Sequence, residues 1–438
     1  MTGPLGRAVL AGLRAAGGRD VLVAGERRLS GDEVLAMAAA GAARLAARGV
    51  RPGDTVACLY GAAPESAIAR LVTLALGCRY VHLAVGMPVA PAAAVMRTLN
   101  AAALLWDPSR EQDAASLLAA CPTPVAAPLN AGLFTPHPTP APAIAPGDDP
   151  PAPPTTGPAS TAGGDPLASP ATGPASTACT GPLAASTADP AGVEAVSAVM
   201  FSSGTSGPRK AVAYGHRTEA AHLAAARRIF GPGPWRLLAA PGVQYVPALF
   251  TLWTLAGGGT VVLEPAVDGA ARLAGLIARE HLTHVMAGRP SRLYGVAPDL
   301  GVPPNGLRQL VYGGEPADPA RTAALTGRLG AVLTQTYGTT EGGFLTALAP
   351  GDHLRAGLLA SVGRAVPGVE LRVRDPAGSD LPPGEAGEVW ARTDQVMLGY
   401  FGDPERTSGA VRGGWLRTGD LGRLDEDGYL FLLDRAPA

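Results

Sequence analysis

Lysine is nearly missing from this chain. Of 35 Lys and Arg residues in 438, Lys210 alone is lysine. The formal net charge is −1, which removes any electrostatic case for nucleic acid or an anionic membrane as a partner. No run reaches the roughly 18 apolar residues that a membrane-crossing helix needs. The N-terminus lacks the basic, apolar and cleavage regions of a signal peptide. Cysteine is sparse as well: Cys58, Cys78, Cys121 and Cys179 stand far apart without a C-x-x-C pair. That spacing excludes a disulfide scaffold, and a soluble, reduced, cytoplasmic protein is the expectation.

What is present is apolar and organised. Apolar residues make up 47% of the chain, ample for large cores, and the length suggests about three units of ~150 residues. Residues 1–135 alternate helix and strand patterns. Gly31–Arg48 is an Ala-rich helix, Thr55–Tyr60 a strand, Pro64–Gly77 a helix, Tyr80–Val85 a strand, Ala90–Leu99 a helix and Ala103–Trp106 a strand. Such alternation predicts a mostly parallel sheet covered by helices. Residues 136–192 are almost wholly Pro, Ala, Gly, Thr, Ser and Asp, with a near repeat at 156–162 and 171–178. Nothing there can fill a core, so the stretch reads as a disordered insertion. Alternation resumes over 193–360. From 361 to 438 short strands with Gly/Pro turns predict a small β-rich unit.

The lone lysine ends the run Phe201-Ser-Ser-Gly-Thr-Ser-Gly-Pro-Arg-Lys210. An ammonium on a flexible stem binds phosphate as a point charge, where arginine would fork. Gly204 and Gly207 let backbone N–H groups approach an anion, and Ser202, Ser203, Thr205 and Ser206 add hydroxyl donors. A Walker A loop requires Gly before the Lys and Ser or Thr after it. Arg209 and Ala211 occupy those places, so a P-loop phosphotransferase fails on spacing. Two further loops follow apolar strands: Gly313-Gly314-Glu315 and Tyr337-Gly338-Thr339-Thr340-Glu341. In open α/β sheets ligands gather beyond the carboxyl ends of strands.

These motifs carry a resemblance. Ser203–Lys210 is similar to the phosphate loop of the adenylate-forming superfamily of acyl-CoA synthetases, peptide-synthetase adenylation domains and luciferases. Tyr337–Glu341 resembles its second signature. Trp415-Leu-Arg-Thr-Gly-Asp420 resembles the third, and Gly428-Tyr-Leu with Asp434-Arg435 the fourth. Weaker echoes are Gly49–Asp54, Gly313–Pro316, Gly384–Glu388 and Gly399-Tyr-Phe401. The resemblance implies an N-terminal core of two packed α/β subdomains with mostly parallel sheets plus a small β-rich, distorted-barrel subdomain. It also implies that a carboxylate attacks the α-phosphate of ATP, releasing pyrophosphate, before a thiol of CoA or a carrier protein takes the acyl group. No enzymic nucleophile is needed, so catalysis would be positioning and charge stabilisation.

Roles implied by the resemblance follow residue by residue. Ser202, Ser203, Gly204, Thr205, Ser206, Gly207 and Lys210 would hold the β- and γ-phosphates. Thr340 would donate to the α-phosphate, beside Gly338 and Thr339. Glu341 would bind Mg²⁺, which favours carboxylate and phosphate oxygens. Tyr337 would stack on adenine against Gly313, Gly314 and Glu315, while Asp420 and Arg435 would meet the ribose. His216 and Arg217 read as structural support. His281 and His284 stand at i, i+3 without a third ligand, too few for a metal site.

Two departures from the family pattern matter. The chain ends at Ala438 where the family continues into a mobile C-terminal domain carrying a second lysine. That domain is therefore expected to be absent, removed or supplied by a separate protein. In the acid pocket, Pro241-Gly-Val-Gln-Tyr-Val-Pro247 stands where many members of the family carry a His-rich loop, and Ala287-Gly-Arg289-Pro290 replaces a stretch that is mostly apolar in the family. Gln244, Tyr245 and Arg289 are the expected contacts to a small carboxylic acid with a polar or aromatic part. The competing reading is a catalytically silent nucleotide- or acyl-binding module.

Overall fold

The buried helix Pro64–Leu76 packs against strands of both large sheets, Thr55–Leu59 and Arg79–Leu83 in one and Asp20–Ala24 in the other. The computed structural model describes residues 3–61, 63–83, 86–135, 196–202, 209–239, 246–264, 267, 269–296, 300 and 306–435. The low-complexity stretch 136–192 lies outside them. Among the described residues a seven-stranded sheet runs in the order Gly399–Tyr400, Ala211–Gly215, Val196–Phe201, Arg79–Leu83, Thr55–Leu59, Ala101–Trp106, Val125–Pro128. It is parallel from Val196–Phe201 onward and antiparallel at the other edge. A nine-stranded sheet follows the order Arg364–Ala365, Gly343–Leu348, Leu333–Thr339, Gln309–Gly313, His284–Gly288, Arg236–Ala239, Thr260–Leu263, Asp20–Ala24, Arg27–Ser30. The third sheet has five strands, all antiparallel, drawn from residues 370–435. The α/β class with a small β-rich unit is thus as the sequence predicts.

Sheet membership departs from linear order. The hairpin at Asp20–Ser30 pairs with Thr260–Leu263 in the nine-stranded sheet, with Leu22 opposite Val261. Val196–Phe201 joins the seven-stranded sheet beside Arg79–Leu83. Each strand follows burial: Val21, Leu22 and Val23, and Ala198, Val199 and Met200, are all withdrawn from water. Hydrophobic burial is non-directional, so periodicity alone does not name the sheet a strand will enter.

Local signals explain the helices. Ser30 caps Gly31–Ala47 in a capping box with Glu33, satisfying two otherwise orphan donors. Before it, Gly3–Ala16 buries Leu5, Val9 and Leu13, a stripe at four-residue spacing that the sequence reading did not assign. Pro64–Leu76 starts with proline at its first turn and is buried from Pro64 through Leu74.

That burial forces a polar solution inside. Arg70 and Glu219 are buried partners in an ion pair. Arg70 also donates to the Ser197 carbonyl at 3.3 Å, and its guanidinium lies 4.7 Å from the Tyr80 ring centroid. Removing one member of a buried pair strands the other charge, at about 3–5 kcal/mol. Arg70→Ala is therefore expected to lower unfolding free energy by about that amount in urea titrations. Arg70→Met combined with Glu219→Leu should recover most of it. A loss below about 1 kcal/mol for the single variant would contradict this assignment.

Candidate active site

The phosphate-loop candidate is the connection of an antiparallel hairpin, Val196–Phe201 with Ala211–Gly215, in which Phe201 lies opposite Ala211. Ser202 and Lys210 close its base: the Ser202 N–H donates to the Lys210 carbonyl at 3.1 Å, and the Lys210 N–H to Ser202 Oγ at 3.1 Å. Ser203, Gly204, Thr205, Ser206 and Gly207 lie outside the described residues. The Lys210 ammonium is half-buried and reaches Tyr400, with Nζ 3.3 Å from the phenol oxygen and 5.1 Å from the ring centroid. The same phenol donates to Glu341 Oε1 at 2.8 Å. One hydroxyl thus stands between the chain's single lysine and the candidate metal carboxylate. Burial, then the adjacent Glu341 charge, pushes the phenol's pKa well above its usual value, so it stays protonated. Tyr400 was not among the expected site residues. Its only signal in the sequence was the Gly399-Tyr-Phe401 echo.

Glu341 sits at the tip of a second hairpin, Leu333–Thr339 with Gly343–Leu348. Its register shifts between Tyr337 and Gly338, a bulge that re-aims the following side chains. A Cβ on Gly338 would fall 2.0 Å from the Gly343 carbonyl oxygen, so only glycine fits. The tip is tethered through its backbone. The Tyr214 hydroxyl donates to the Thr340 carbonyl, and the Met397 N–H donates to the Glu341 carbonyl at 2.8 Å. The Gln395 side chain bonds both the N–H and the carbonyl of Phe344, at 3.1 and 2.8 Å. His222 Nε2 lies 3.2 Å from the Gln395 carbonyl. A carbonyl only accepts, so Nε2 carries the proton.

A third group lies along the same strand. Tyr337 is buried and donates to Asp420 Oδ2 at 2.7 Å. Asp420 belongs to the strand Trp415–Leu424, and its N–H donates to Thr418 Oγ1 at 3.1 Å. Arg435 lies opposite Asp420 in the neighbouring strand. Gly313 pairs with Thr336, and a Cβ on it would meet the Thr336 carbonyl oxygen at 2.2 Å, so the chain beside Tyr337 stays bare of side chain. Glu315 Oε1 accepts the Ser291 N–H at 2.7 Å. That bond anchors the short helix Pro290–Val296 next to Arg289, which is exposed. Gln244 and Tyr245 lie outside the described residues.

Other candidates are structural. His284 bonds the Phe230 carbonyl at 3.0 Å and Thr283 Oγ1 at 2.8 Å. Among the described residues no group of three or more His, Cys, Asp or Glu side chains is placed to hold a metal ion. Burial pushes the Cys58 and Cys78 thiols up to about 12, which leaves them unreactive. No helix among the described residues is long and apolar enough to cross a membrane.

The chain matches the family model of AMP-binding enzymes over residues 11–401, and it belongs to that family. A fatty acid–[acyl-carrier-protein] ligase, ScoC, from Streptomyces coeruleorubidus is 34% identical over 249 residues, 54% of this chain and 48% of the relative. A feruloyl-CoA synthase from an Amycolatopsis species is 33% identical over 265 residues, 56% of this chain and 50% of the relative. The chain thus spans about half the length of the curated relatives it matches. Among solved structures, the amide bond synthetase McbA from Marinactinospora thermotolerans superposes with a TM-score of 0.79 at 36% identity, covering 99% of this chain and 79% of that one. MatB from Rhodopseudomonas palustris shares the fold at a TM-score of 0.78 and 22% identity, with 99% and 79% covered.

The tethering histidine makes stability depend on pH. Burial holds His222 and His284 neutral, with pKa values lowered to about 4. Their unfolded values lie near 6.5. Between those limits the unfolded chain binds more protons, so stability is fully present above about pH 6.5 and falls with decreasing pH. Urea midpoints are expected to drop between pH 7 and pH 5 by the equivalent of about 1–2 kcal/mol per histidine. A His284→Gln variant, whatever its stability at pH 7, should show a shallower slope. A flat wild-type profile would contradict this.

Proposed function

We propose that this chain activates a small carboxylic acid with ATP, forming an acyl-adenylate and pyrophosphate, and that the acyl group then passes to a thiol of CoA or a carrier protein. The observation that carries this reading is the convergence of the Lys210 ammonium and the Glu341 carboxylate on one phenol at the base of the phosphate-loop hairpin. Tyr337, which donates to Asp420, lies four residues before Glu341 on the strand that leads to the hairpin tip.

The chemistry suits such a site. A carboxylate oxygen of the acid attacks the α-phosphorus, and the bond from that phosphorus to the bridging oxygen of pyrophosphate breaks. No proton moves, because the attacking acid is already ionised. Lys210 would offset charge accumulating on the β- and γ-phosphates. Thr340, with its carbonyl fixed by Tyr214, would present its hydroxyl to the α-phosphate. Asp420 would accept from the ribose hydroxyls; a carboxylate has about four lone-pair sites, so accepting the Tyr337 hydroxyl does not exhaust it. Tyr337, Gly313 and Gly314 would frame the adenine, and Glu341 is the residue to hold Mg²⁺. A Mg²⁺ ion there would neutralise phosphate charge in the transition state. Gln244, Tyr245 and Arg289 would meet the acid, with Arg289 favouring one that carries a polar or aromatic part.

The names of the relatives span fatty and aryl acids and both CoA and carrier-protein acceptors, within a family of AMP-binding enzymes. The likeness to an amide bond synthetase over 99% of the chain favours a second reading of the last step, in which an amine attacks the adenylate and an amide results. ATP–pyrophosphate exchange with a panel of fatty, aryl and amino acids tests the first step. Exchange should require one acid class and fall by roughly 10²-fold or more in both Lys210→Ala and Glu341→Ala. Exchange at wild-type rates in either variant would remove that residue's role. ATP binding without exchange for any acid would favour the silent binding module. Adding CoA or amines to the identified acid then separates the two acceptors.

A further inference from the structure

Tyr400 belongs to none of the roles assigned above, yet it touches both charged groups of the phosphate end. Its ring lies on the strand Gly399–Tyr400, where Tyr400 pairs with Val212, and its N–H donates to Thr407 Oγ1 at 2.9 Å. Met397, three residues earlier, holds the Glu341 carbonyl. The phenol position is therefore set from two sides before any ligand arrives.

Resting on the nucleotide-site reading above, we propose that Tyr400 is a positioning residue. In the nucleotide-free protein its phenol keeps Lys210 and Glu341 apart, and in the loaded protein its O–H turns to a phosphate oxygen. The reasoning is electrostatic. An ammonium and a carboxylate a few ångströms apart in a half-buried setting attract strongly. With nothing between them they would close into a direct pair and hide both groups from a polyphosphate and its cation. The phenol prevents this by serving both ions. It donates its hydrogen to Glu341 at 2.8 Å and accepts from Lys210 at 3.3 Å, while adding no charge. When Lys210 moves to phosphate and Glu341 to a divalent cation, the phenol O–H is released at the place where a phosphate oxygen needs a donor.

Calorimetric titration of Tyr400→Phe with MgATP and separately with AMP tests this. Phenylalanine keeps the ring beside the ammonium and removes one oxygen. AMP lacks the β- and γ-phosphates, so its binding does not need Lys210 and Glu341 held ready. MgATP affinity is expected to fall about tenfold, the typical loss for a hydrogen bond to a charged group, while AMP affinity stays within about twofold. A purely structural role would weaken both ligands together. Thr407→Val, which loosens the backbone of Tyr400 without touching the phenol, should give the same selectivity more weakly and serves if Tyr400→Phe does not fold. Equal weakening of MgATP and AMP, or an unchanged MgATP affinity, overturns the inference alone. A wild-type protein that binds neither nucleotide overturns the nucleotide-site reading itself, and this inference with it.

Discussion

The hydroxyl of Tyr214 donates to the carbonyl of Thr340, and the candidate site depends on that bond. Tyr214 lies on the phosphate-loop hairpin of the seven-stranded sheet, and Thr340 at the tip of a hairpin in the nine-stranded sheet. Neither hairpin by itself brings a lysine and a carboxylate together. The segment 393–401 completes the fastening: Gln395 clamps Phe344, Met397 holds Glu341, Leu398 bonds the Ala213 carbonyl, and Tyr400 joins the edge of the seven-stranded sheet. The site is a seam between two sheets, closed by bonds to the backbone of the hairpin tip. The side chains of Thr340 and Glu341 take no part in that fastening.

This arrangement fits a reaction that asks for little movement of protons. On the proposed function, attack by an ionised carboxylate on a phosphate would need charges held still and aligned, which a preorganised seam would supply at low reorganisation cost. His222 contributes by staying neutral: burial lowers its pKa to about 4, so at neutral pH it is a fixed hydrogen-bond donor to Gln395. The buried Arg70–Glu219 pair serves the same seam from behind. Arg70 comes from the helix between the sheets, and Glu219 from the helix that follows the Ala211–Gly215 strand.

Much of the fold was legible because its signals are local. Ser30 and Glu33 announce a helix start, Gly77 ends the central helix, and alternating apolar runs mark the parallel strands. The candidate loops were legible for the same reason, since Lys210 and Tyr337–Glu341 are contiguous motifs. What escaped was weakly signalled or non-local. The N-terminal helix hides its Leu5–Val9–Leu13 stripe among Gly and Ala. The exchange of hairpins between sheets depends on which distant surface buries Val21–Val23 and Ala198–Met200. Tyr337–Thr339 read as a turn, yet the strand runs on through them because Gly343–Leu348 pairs alongside, a partner whose Gly342-Gly343 start resembles a break. Tyr400 lies 59 residues from Glu341 and 190 from Lys210, so no window of sequence could show that one phenol serves both.

A crystal structure of the protein with AMP bound decides whether this seam is a nucleotide site. Adenine is expected against the Tyr337 ring and the Gly313–Gly314 backbone, with the ribose hydroxyls within hydrogen-bond distance of Asp420. AMP bound elsewhere, or a Tyr337–Asp420 pair with no nucleotide beside it in crystals that contain AMP, would contradict it.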